Sequence, residues 1–550
     1  MFRYDESGEY VMHICCVYIR NSIHSSSEFS HYDLRYDIMP LGISYISSSL
    51  KQAGHTTEML FCVPGNCNES ILHFVTKKPD VFAVSVVSEN DFELAEQLFT
   101  MFKKHFPSVK IFVGGSYPTL VPESVFKNAN IDVLCIGDGE KASVDYMRQL
   151  ESGRFEKTDN LWIRTEQEII KCDKSVFTED LDNLVYPDRN GWDRWVVYCE
   201  QHKISLERGC VYQCVYCANH ALSKTAKGRY VRYRSIDGII NEIRDIKKSY
   251  ANLKSVYFDA ENALSDVEYF RKFCLALAEF NGKLDVKLNF SLKLNFTPNL
   301  LKDEHLIDLI KQANINWIHF GLESGSFEIR KSFQRPYYTN EQVIRFCEIL
   351  KAHKIKILIH VMYCFPFETK KTYGETVTCL KKCKADMLSL SWLTPIKNTK
   401  LHEQLKDKTL NASITEKFRY LSMRWRVYRT YKDFGEAVFL SAEPLGYFDK
   451  AVNFYKTLKE KRHRLDEKYK KTAKEAFDNQ DYQKAIKYFN KVHITENESW
   501  IYGDRAIAEM KTGRYKSALK DFKKVILTDS NDFYIRQQAE CLRLVKKKEI

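Results

Sequence analysis

The sequence predicts an α/β protein in three parts. These are an N-terminal doubly wound, Rossmann-like domain, a partial (β/α) TIM-type barrel and an α-helical C-terminal repeat domain. Three observations carry that expectation. Residues 11–190 alternate strand-like and helix-like segments, with glycine at several strand ends. Residues 195–405 repeat the alternation, with polar residues at the strand ends. Residues 466–550 repeat themselves at an offset of 33 residues. A chain of 550 residues is also longer than one domain usually runs.

The elements of the first part read in order. Tyr10–Arg20 is a buried-type strand rich in Val, Ile and Cys. Pro40, Leu41 and Gly42 open a helix over Ile43–Ala53, and Gly54 stops it. His55–Phe61 is the next strand, and Val81–Val87 is an apolar run fit for a central parallel strand. Phe92–Phe106 is helical. Lys110–Val113 is a strand ending in Gly114 and Gly115, and Val133–Ile136 a strand ending in Gly137, Asp138, Gly139 and Glu140. Such sheets bind ligands at the carboxyl ends of their strands, where these glycines lie.

In the second part, Ser255–Phe258 ends in Asp259, Ala260 and Glu261, and Leu284–Leu294 is a strand with partial alternation. Trp317–Leu322 ends in Glu323, Ile355–Cys364 in Phe-Pro-Phe-Glu, and Met387–Leu393 in Thr394-Pro395. Helix-length segments such as Glu341–His353 separate them. Repeated βα units that close on themselves place an active site at the strand carboxyl ends.

Residues 406–465 are helix-like and aromatic, a connector that caps the barrel. Beyond it, Asp481-Tyr482-x-x-Ala485-Ile486-x-x-Phe489 recurs as Arg514-Tyr515-x-x-Ala518-Leu519-x-x-Phe522. Small and aromatic residues at that spacing let helix pairs pack closely. The pattern resembles tetratricopeptide repeats, which bind peptides or mediate oligomers. A plain helical buttress is the other reading.

Composition narrows the class. The apolar fraction of 44% and charged fraction of 28% are those of a soluble globular protein. The first ten residues hold no apolar core of a signal peptide, and no run of about 18 apolar residues predicts a membrane span. Sixteen cysteines in an unexported chain argue for reduced thiols and a cytoplasmic setting. The net charge of +12 concentrates in residues 451–550, with 24 Lys/Arg against 15 Asp/Glu. No RNA-binding motif accompanies that charge, so nucleic acid is not the expected partner.

The densest chemical signal is Arg208-Gly-Cys210-Val-Tyr-Gln-Cys214-Val-Tyr216-Cys217. Three thiolates within eight residues can wrap one face of a cubane cluster. A [4Fe–4S] cluster normally takes four protein sulfurs, so three leave one iron open to a small molecule. A zinc site calls for four Cys or His ligands, and no second Cys pair follows.

This Cys-x3-Cys-x2-Cys motif, with Tyr216 before its last cysteine, resembles that of the radical S-adenosylmethionine (SAM) enzymes. The resemblance implies that Cys210, Cys214 and Cys217 hold a [4Fe–4S] cluster and that Tyr216 lies near the adenine of SAM. It implies SAM contacts for Glu261, Glu323 and Arg335, the last through the SAM carboxylate. The segments around Pro40-Leu41-Gly42, Gly114-Gly115 and Gly137-Asp138-Gly139-Glu140 resemble the cobalamin-binding domain that precedes many radical SAM cores. The implied domains are 1–190 for cobalamin, 195–405 for the radical core, 406–465 for the connector and 466–550 for the repeats.

There are departures from the family pattern. No Asp-x-His-x-x-Gly motif is present. The strand-5 end reads Cys364-Phe-Pro-Phe367-Glu-Thr where two glycines are usual, and Lys397-Asn398-Thr399 replaces Pro-Gly-Thr. The implied reaction is methylation of an unactivated carbon, supported by a reductant such as flavodoxin or ferredoxin. A radical cyclisation, rearrangement or oxidation is the alternative, and a non-catalytic repeat-based binding protein the second. The sequence does not distinguish the substrate.

Overall fold

The computed structural model describes residues 11–20, 39–406, 467–492, 500–528 and 532–548, except 64–66, 68, 173–174, 194–199, 364, 366–367 and 394. The predicted connector 406–465 and the residues Cys364 and Phe367 therefore lie outside the described residues, save Lys406. The described residues fall into two compact units, one within residues 1–22, 35–60 and 75–451, the other within 23–34, 61–74 and 452–550.

The first unit holds two sheets. One has seven strands: β1 (His13–Ile19), β2 (Thr56–Cys62), β3 (Val81–Ser85), β4 (Lys110–Gly114), β5 (Val133–Cys135), β6 (Leu161–Arg164) and β7 (Ile169–Lys171). Their order is β2-β1-β3-β4-β5-β6-β7. β1, β3, β4 and β5 pair in parallel, and β6 and β7 add an antiparallel edge that the sequence reading missed. The missed strands are only four and three residues long, too short for a periodic signal. Helices α1 (Leu41–Gln52), α2 (Glu89–His105), α3 (Ser116–Leu120) and α4 (Glu140–Ser152) connect the strands. α2 starts at a Ser88 capping box. The order 2-1-3-4-5 is that of a doubly wound sheet whose chain direction switches between β1 and β3. Gly115 lies at that edge with φ +112°, and a Cβ there would collide with the Val86 carbonyl. Only glycine permits this backbone crossing.

The other sheet has six strands, all parallel: β8 (Gln201–Ser205), β11 (Ser255–Asp259), β12 (Asn289–Leu294), β13 (Ile315–Glu323), β14 (Lys356–Tyr363) and β15 (Met387–Trp392). A short hairpin of β9 (Glu207–Arg208) and β10 (Arg232–Tyr233) follows β8. Each strand of the sheet lies beside its predecessor in the chain. Sequential order puts every crossover helix on the same side, as in the wall of a barrel. After α5 (Ala218–Leu222), those helices are α6 (Ile236–Ser249), α7 (Val267–Gly282), α8 (Glu304–Gln312), α9 (Phe327–Ser332), α10 (Asn340–Ala352) and α11 (Lys370–Cys383). Side chains of Ser235, Asp266, Asp303, Thr339 and Thr369 cap five of them.

One face of this sheet and its helices share a single core, including Ile204, Val256, Phe258, Phe290, Leu292, Ile318, Phe320, Ile357 and Ile359. The intervening residues of the same strands point to the opposite, inner face. They are Lys203, Tyr257, Asp259, Ser291, Lys293, Trp317, His319 and His360. Strand β12 begins at Asn289, five residues later than expected, because the chain from Leu284 to Leu288 is a turn closed by Asn281.

The second unit contains a helical C-terminus. A helix over 467–478 is followed by α12 (Tyr482–Phe489), α13 (Trp500–Lys511), α14 (Tyr515–Thr528) and α15 (Asp532–Lys548). Ala485 and Phe489 of the first sequence repeat and Ala518, Leu519 and Phe522 of the second are buried in one core. A Cβ on Gly503 would collide with the Tyr534 ring, which explains the glycine inside α13.

Candidate active site

The cysteine loop leaves the β9 strand through Gly209, whose φ is +89° and whose added Cβ would strike the Tyr230 carbonyl. Cys210 is half-buried and Cys214 is buried. Cys217 is half-buried and is the N-cap residue of α5. The loop is pinned from both sides. Val215 N–H donates to Phe333 O at 3.4 Å, and Leu401 N–H donates to Val215 O at 2.9 Å. Val215 also packs with Ile329, Phe333, Phe365, Leu393 and Leu401.

Burial pushes the Cys210 thiol up to about 12 and raises that of Cys217. Each feels the charge of the other cysteines. A bound cationic centre would favour the thiolate forms of Cys210 and Cys217 that burial disfavours. Among the described residues, the one group of ligand atoms all within 4.8 Å of each other is His13, Cys15 and Glu58, on β1 and β2. The three loop cysteines are not such a group.

The other residues singled out in the second part converge on this loop. Asn219, two residues beyond Cys217, donates through Nδ2 to Glu261 Oε2 at 3.0 Å and accepts from Tyr230 Oη at 2.5 Å. Lys293 Nζ lies 3.8 Å from the same Glu261 oxygen. Arg335 is buried, and its Nη1 reaches Tyr216 Oη at 3.2 Å and Cys214 Sγ at 3.8 Å. Its Nη2 donates to Gly321 O at 3.1 Å, and its Nη1 lies 3.8 Å from Glu323 Oε1. Burial raises the Glu323 carboxyl above its usual range. Glu323 also adopts φ +61° at a register shift between β13 and β14. A non-glycine residue held in the left-handed region is strained, and such strain concentrates at functional sites.

The first-part residues do not join that cluster. Pro40, Leu41 and Gly42 form the N-terminus of α1, with Gly42 exposed and nothing near its Cα. Gly114 and Gly115 stand at the carboxyl end of β4. Glu140 is buried and paired with Arg208, Nη2 to Oε1 at 2.5 Å. Asp138 takes the other Arg208 nitrogen at 3.2 Å, and Arg232 as well. Burial alone would raise the Asp138 carboxyl, but the two guanidiniums outweigh it and hold it below its usual range. A second link runs from Lys397 Nζ to Glu89 Oε1 at 2.6 Å, and Asn398 Nδ2 donates to the Leu120 carbonyl. Asn398 has φ +63°, the conformation that the family's glycine would supply at this point. The loops after β3, β4 and β5 therefore meet those before the cysteines and after β15. The carboxyl edges of the two sheets face one another.

Sequence reasoning missed Arg208, Asp138, Asn219, Lys293, Lys203, His319 and His360. Lys293, Lys203, His319 and His360 each stand on the inner face of their strand, next to a residue of the shared core. Lys203 pairs with Asp259 at 2.7 Å. The rings of Tyr257 and His319 are 5.3 Å apart, and those of His319 and His360 6.3 Å. β11 and β13 are separated by β12, and a flat sheet would hold them about 9.5 Å apart. The side chains thus converge over a hollow. Burial pushes the imidazoles of His319 and His360 down to about 3 and about 4, so both are neutral.

Residues 204–380 match the family model of the radical SAM superfamily, and residues 33–146 match that of the B12 binding domain. The chain carries a radical SAM domain and a B12 binding domain. Bacteriochlorophyllide d C-12(1)-methyltransferase of Chlorobaculum tepidum is 24% identical over 38% of this chain and 44% of its own. Anaerobic magnesium-protoporphyrin IX monomethyl ester cyclase of Cereibacter sphaeroides is 21% identical over 67% of this chain and 60% of its own. The chain thus spans about half the length of these two relatives. The methyltransferase TsrM of Kitasatospora setae, solved with cobalamin and a [4Fe–4S] cluster, has the same fold. Its TM-score is 0.56 at 15% identity, over 73% of this chain and 79% of that one.

The radical SAM domain implies a [4Fe–4S] cluster and SAM, and the B12 binding domain implies cobalamin. The residues fit both. The radical SAM domain offers three thiols on one loop, Cys210, Cys214 and Cys217. The B12 binding domain offers a topological switch point between β1 and β3, and beside it Gly115, after β4, lets backbone pass Val86 at close range.

Proposed function

We propose that this chain is a cobalamin-dependent radical SAM enzyme that methylates an unactivated carbon. The observation that carries the proposal is the pairing of Arg208 with Asp138 and Glu140. It ties the carboxyl edge of the B12 binding domain to the residue two before the first cluster cysteine. Each fold binds its ligand at the carboxyl ends of its strands, so the two cofactors would share one cavity.

When bound, the cluster supplies the electron that cleaves SAM, and cobalamin supplies the methyl group. The chain itself binds and orients. Cys210, Cys214 and Cys217 would hold the cluster, and Arg335 fixes Cys214 and Tyr216 in place. Glu261 is set by Asn219 to meet an ammonium group. Glu323 offers a buried carboxyl to a polar part of SAM. The inner face of the second sheet would enclose the substrate and keep bulk water out. A low-potential reductant such as flavodoxin or ferredoxin would serve the cluster. No helix among the described residues is long and apolar enough to cross a membrane.

Anaerobic reconstitution with iron, sulfide and hydroxocobalamin, followed by incubation with SAM and a strong reductant, tests the proposal. Production of both 5′-deoxyadenosine and S-adenosylhomocysteine, the latter only with cobalamin, is the expected result. The cyclase relative covers more of this chain than the methyltransferase does, which favours ring formation or oxidation as a second reading. 5′-Deoxyadenosine alone, indifferent to cobalamin, would select it. The C-terminal helices, with their 33-residue repeat, we read as a tetratricopeptide-like pair that recruits a protein or peptide. Deleting residues 466–550 would then cost activity on a large substrate but not SAM cleavage.

A further inference from the structure

At the amino end of the first sheet, away from its ligand edge, three chemically different metal-binding groups meet. His13 and Cys15 stand two residues apart on β1, so both side chains leave the same face. Glu58 comes from the neighbouring edge strand β2. His13 Nε2 is 3.1 Å from Glu58 Oε1, and Cys15 Sγ donates to the same oxygen at 3.0 Å. The three ligand atoms all lie within 4.8 Å of one another. His13 and Cys15 are buried, and the Glu58 side chain is only 9% exposed.

The surrounding groups orient this trio. Thr56 Oγ1 donates to the Met12 carbonyl at 3.3 Å and lies 2.9 Å from His13 Nδ1. A hydroxyl whose hydrogen points to a carbonyl accepts from the ring, so Nδ1 carries the proton. Nε2 then turns its lone pair toward the Glu58 carboxylate, an arrangement that a cation between them would resolve. Metal-binding histidines are held in this way, by a partner on the other ring nitrogen. Thr76 donates to Glu58 through its N–H at 3.2 Å and its Oγ1 at 2.8 Å, which fixes the carboxylate in turn. Charge agrees with geometry. A neutral imidazole, a thiolate and a carboxylate balance a divalent cation and leave no net charge buried. Tetrahedral zinc would hold such atoms about 3.4–3.6 Å apart, so shifts of about half an ångström would admit it. Imidazole and thiolate select zinc over magnesium or calcium, which take oxygen ligands.

We propose that His13, Cys15 and Glu58 bind a zinc-class divalent cation, with Thr56 as the positioning residue for His13. On binding, the Cys15 thiol gives its proton to solvent and its sulfur bonds the ion. Water takes the fourth position, reached past exposed Thr76. The ion would tie edge strand β2 to β1. This site stands apart from the cysteine loop and does not depend on the radical SAM reading.

The test adds zinc to the anaerobically reconstituted full chain, in which iron and sulfide occupy the cysteine loop, and removes the excess. The expected result is about one equivalent of zinc, with a single sulfur neighbour in X-ray absorption at the zinc edge. Zinc with three sulfurs would be metal on the cysteine loop, and zinc that washes out would mean an ordinary hydrogen-bond network. Either result overturns the proposal. Cys15→Ala should weaken zinc binding by about 100-fold or more, read by competition with a chromophoric chelator. Thr56→Val, at an exposed residue, should weaken it by about 10- to 100-fold. Circular dichroism checks that each variant folds, and should Cys15→Ala fail to fold, Thr56→Val decides. An affinity unchanged in either folded variant overturns the proposal.

Discussion

In the first sheet every residue of β1 is buried, and β3, β4 and β5 are buried along nearly their whole length. In the second sheet the strands bury apolar residues against helices on one side and carry Lys203, Asp259, Lys293, His319 and His360 on the other. Both have a parallel core with its ligand edge at the strand ends, and the first adds an antiparallel edge. The first has no face to spare, so a ligand can meet only its loops. The second keeps a polar face, so a ligand can lie against the strands themselves. Strand polarity, rather than strand order, separates a sheet that presents a cofactor from one that encloses a reaction.

Breaking the second sheet's site should have the largest effect. Cys214→Ala is expected to lower 5′-deoxyadenosine production by about 1,000-fold or more and to cut bound iron, while circular dichroism stays unchanged. A non-catalytic binding protein would survive that change. Breaking the first sheet should instead act on stability. Gly115→Ala puts a side chain on the Val86 carbonyl at positive φ and should cost about 3 kcal/mol or more, read by thermal unfolding. The bridge between the sheets comes next. Arg208→Gln leaves buried Glu140 and Asp138 with half their countercharge and should cost about 2–3 kcal/mol. It should also lower methyl transfer more than SAM cleavage. Equal loss of both would remove the bridge from the mechanism.

The smallest effect is a matter of pH. Burial, with the neighbouring Glu261, pushes the Glu207 carboxyl up to about 7, despite the Asn262 N–H it accepts. An acid raised in the folded state contributes stability below its unfolded value near 4.5, and loses it as pH rises through about 7. Glu207→Gln should therefore stabilise the protein by about 2 kcal/mol at pH 8 and by nothing at pH 4, measured by chemical denaturation.

How much of this could be read from the sequence follows from range. The cysteine loop was legible because its signal lies within eight residues. The buried strands of the first sheet were legible as unbroken apolar runs, and the helical C-terminus from its small and aromatic residues at helical spacing. Glu261 and Glu323 were found as strand-end acids. Lys293, His319 and His360 went unread because each interrupts an apolar strand singly, and only the paired register gathers them on one face. Arg208 stood in plain view before the first cysteine, but its partners lie about 70 residues upstream, in another domain. No local pattern announces such a pair. Arg335 was singled out from its sequence context, but its contacts with Cys214 and Tyr216, about 120 residues upstream, were not legible there.

The bridge also bears on how such a chain could be rebuilt or could have diverged. Arg208 draws its countercharge from a loop of the preceding domain, so the two modules are not interchangeable parts. A chimera that grafts a foreign B12 binding domain onto this core would inherit an uncompensated guanidinium at its seam. The graft would need two carboxylates at the positions of Asp138 and Glu140. The junction of this chain thus carries a charge requirement of its own, beside the link from Lys397 to Glu89.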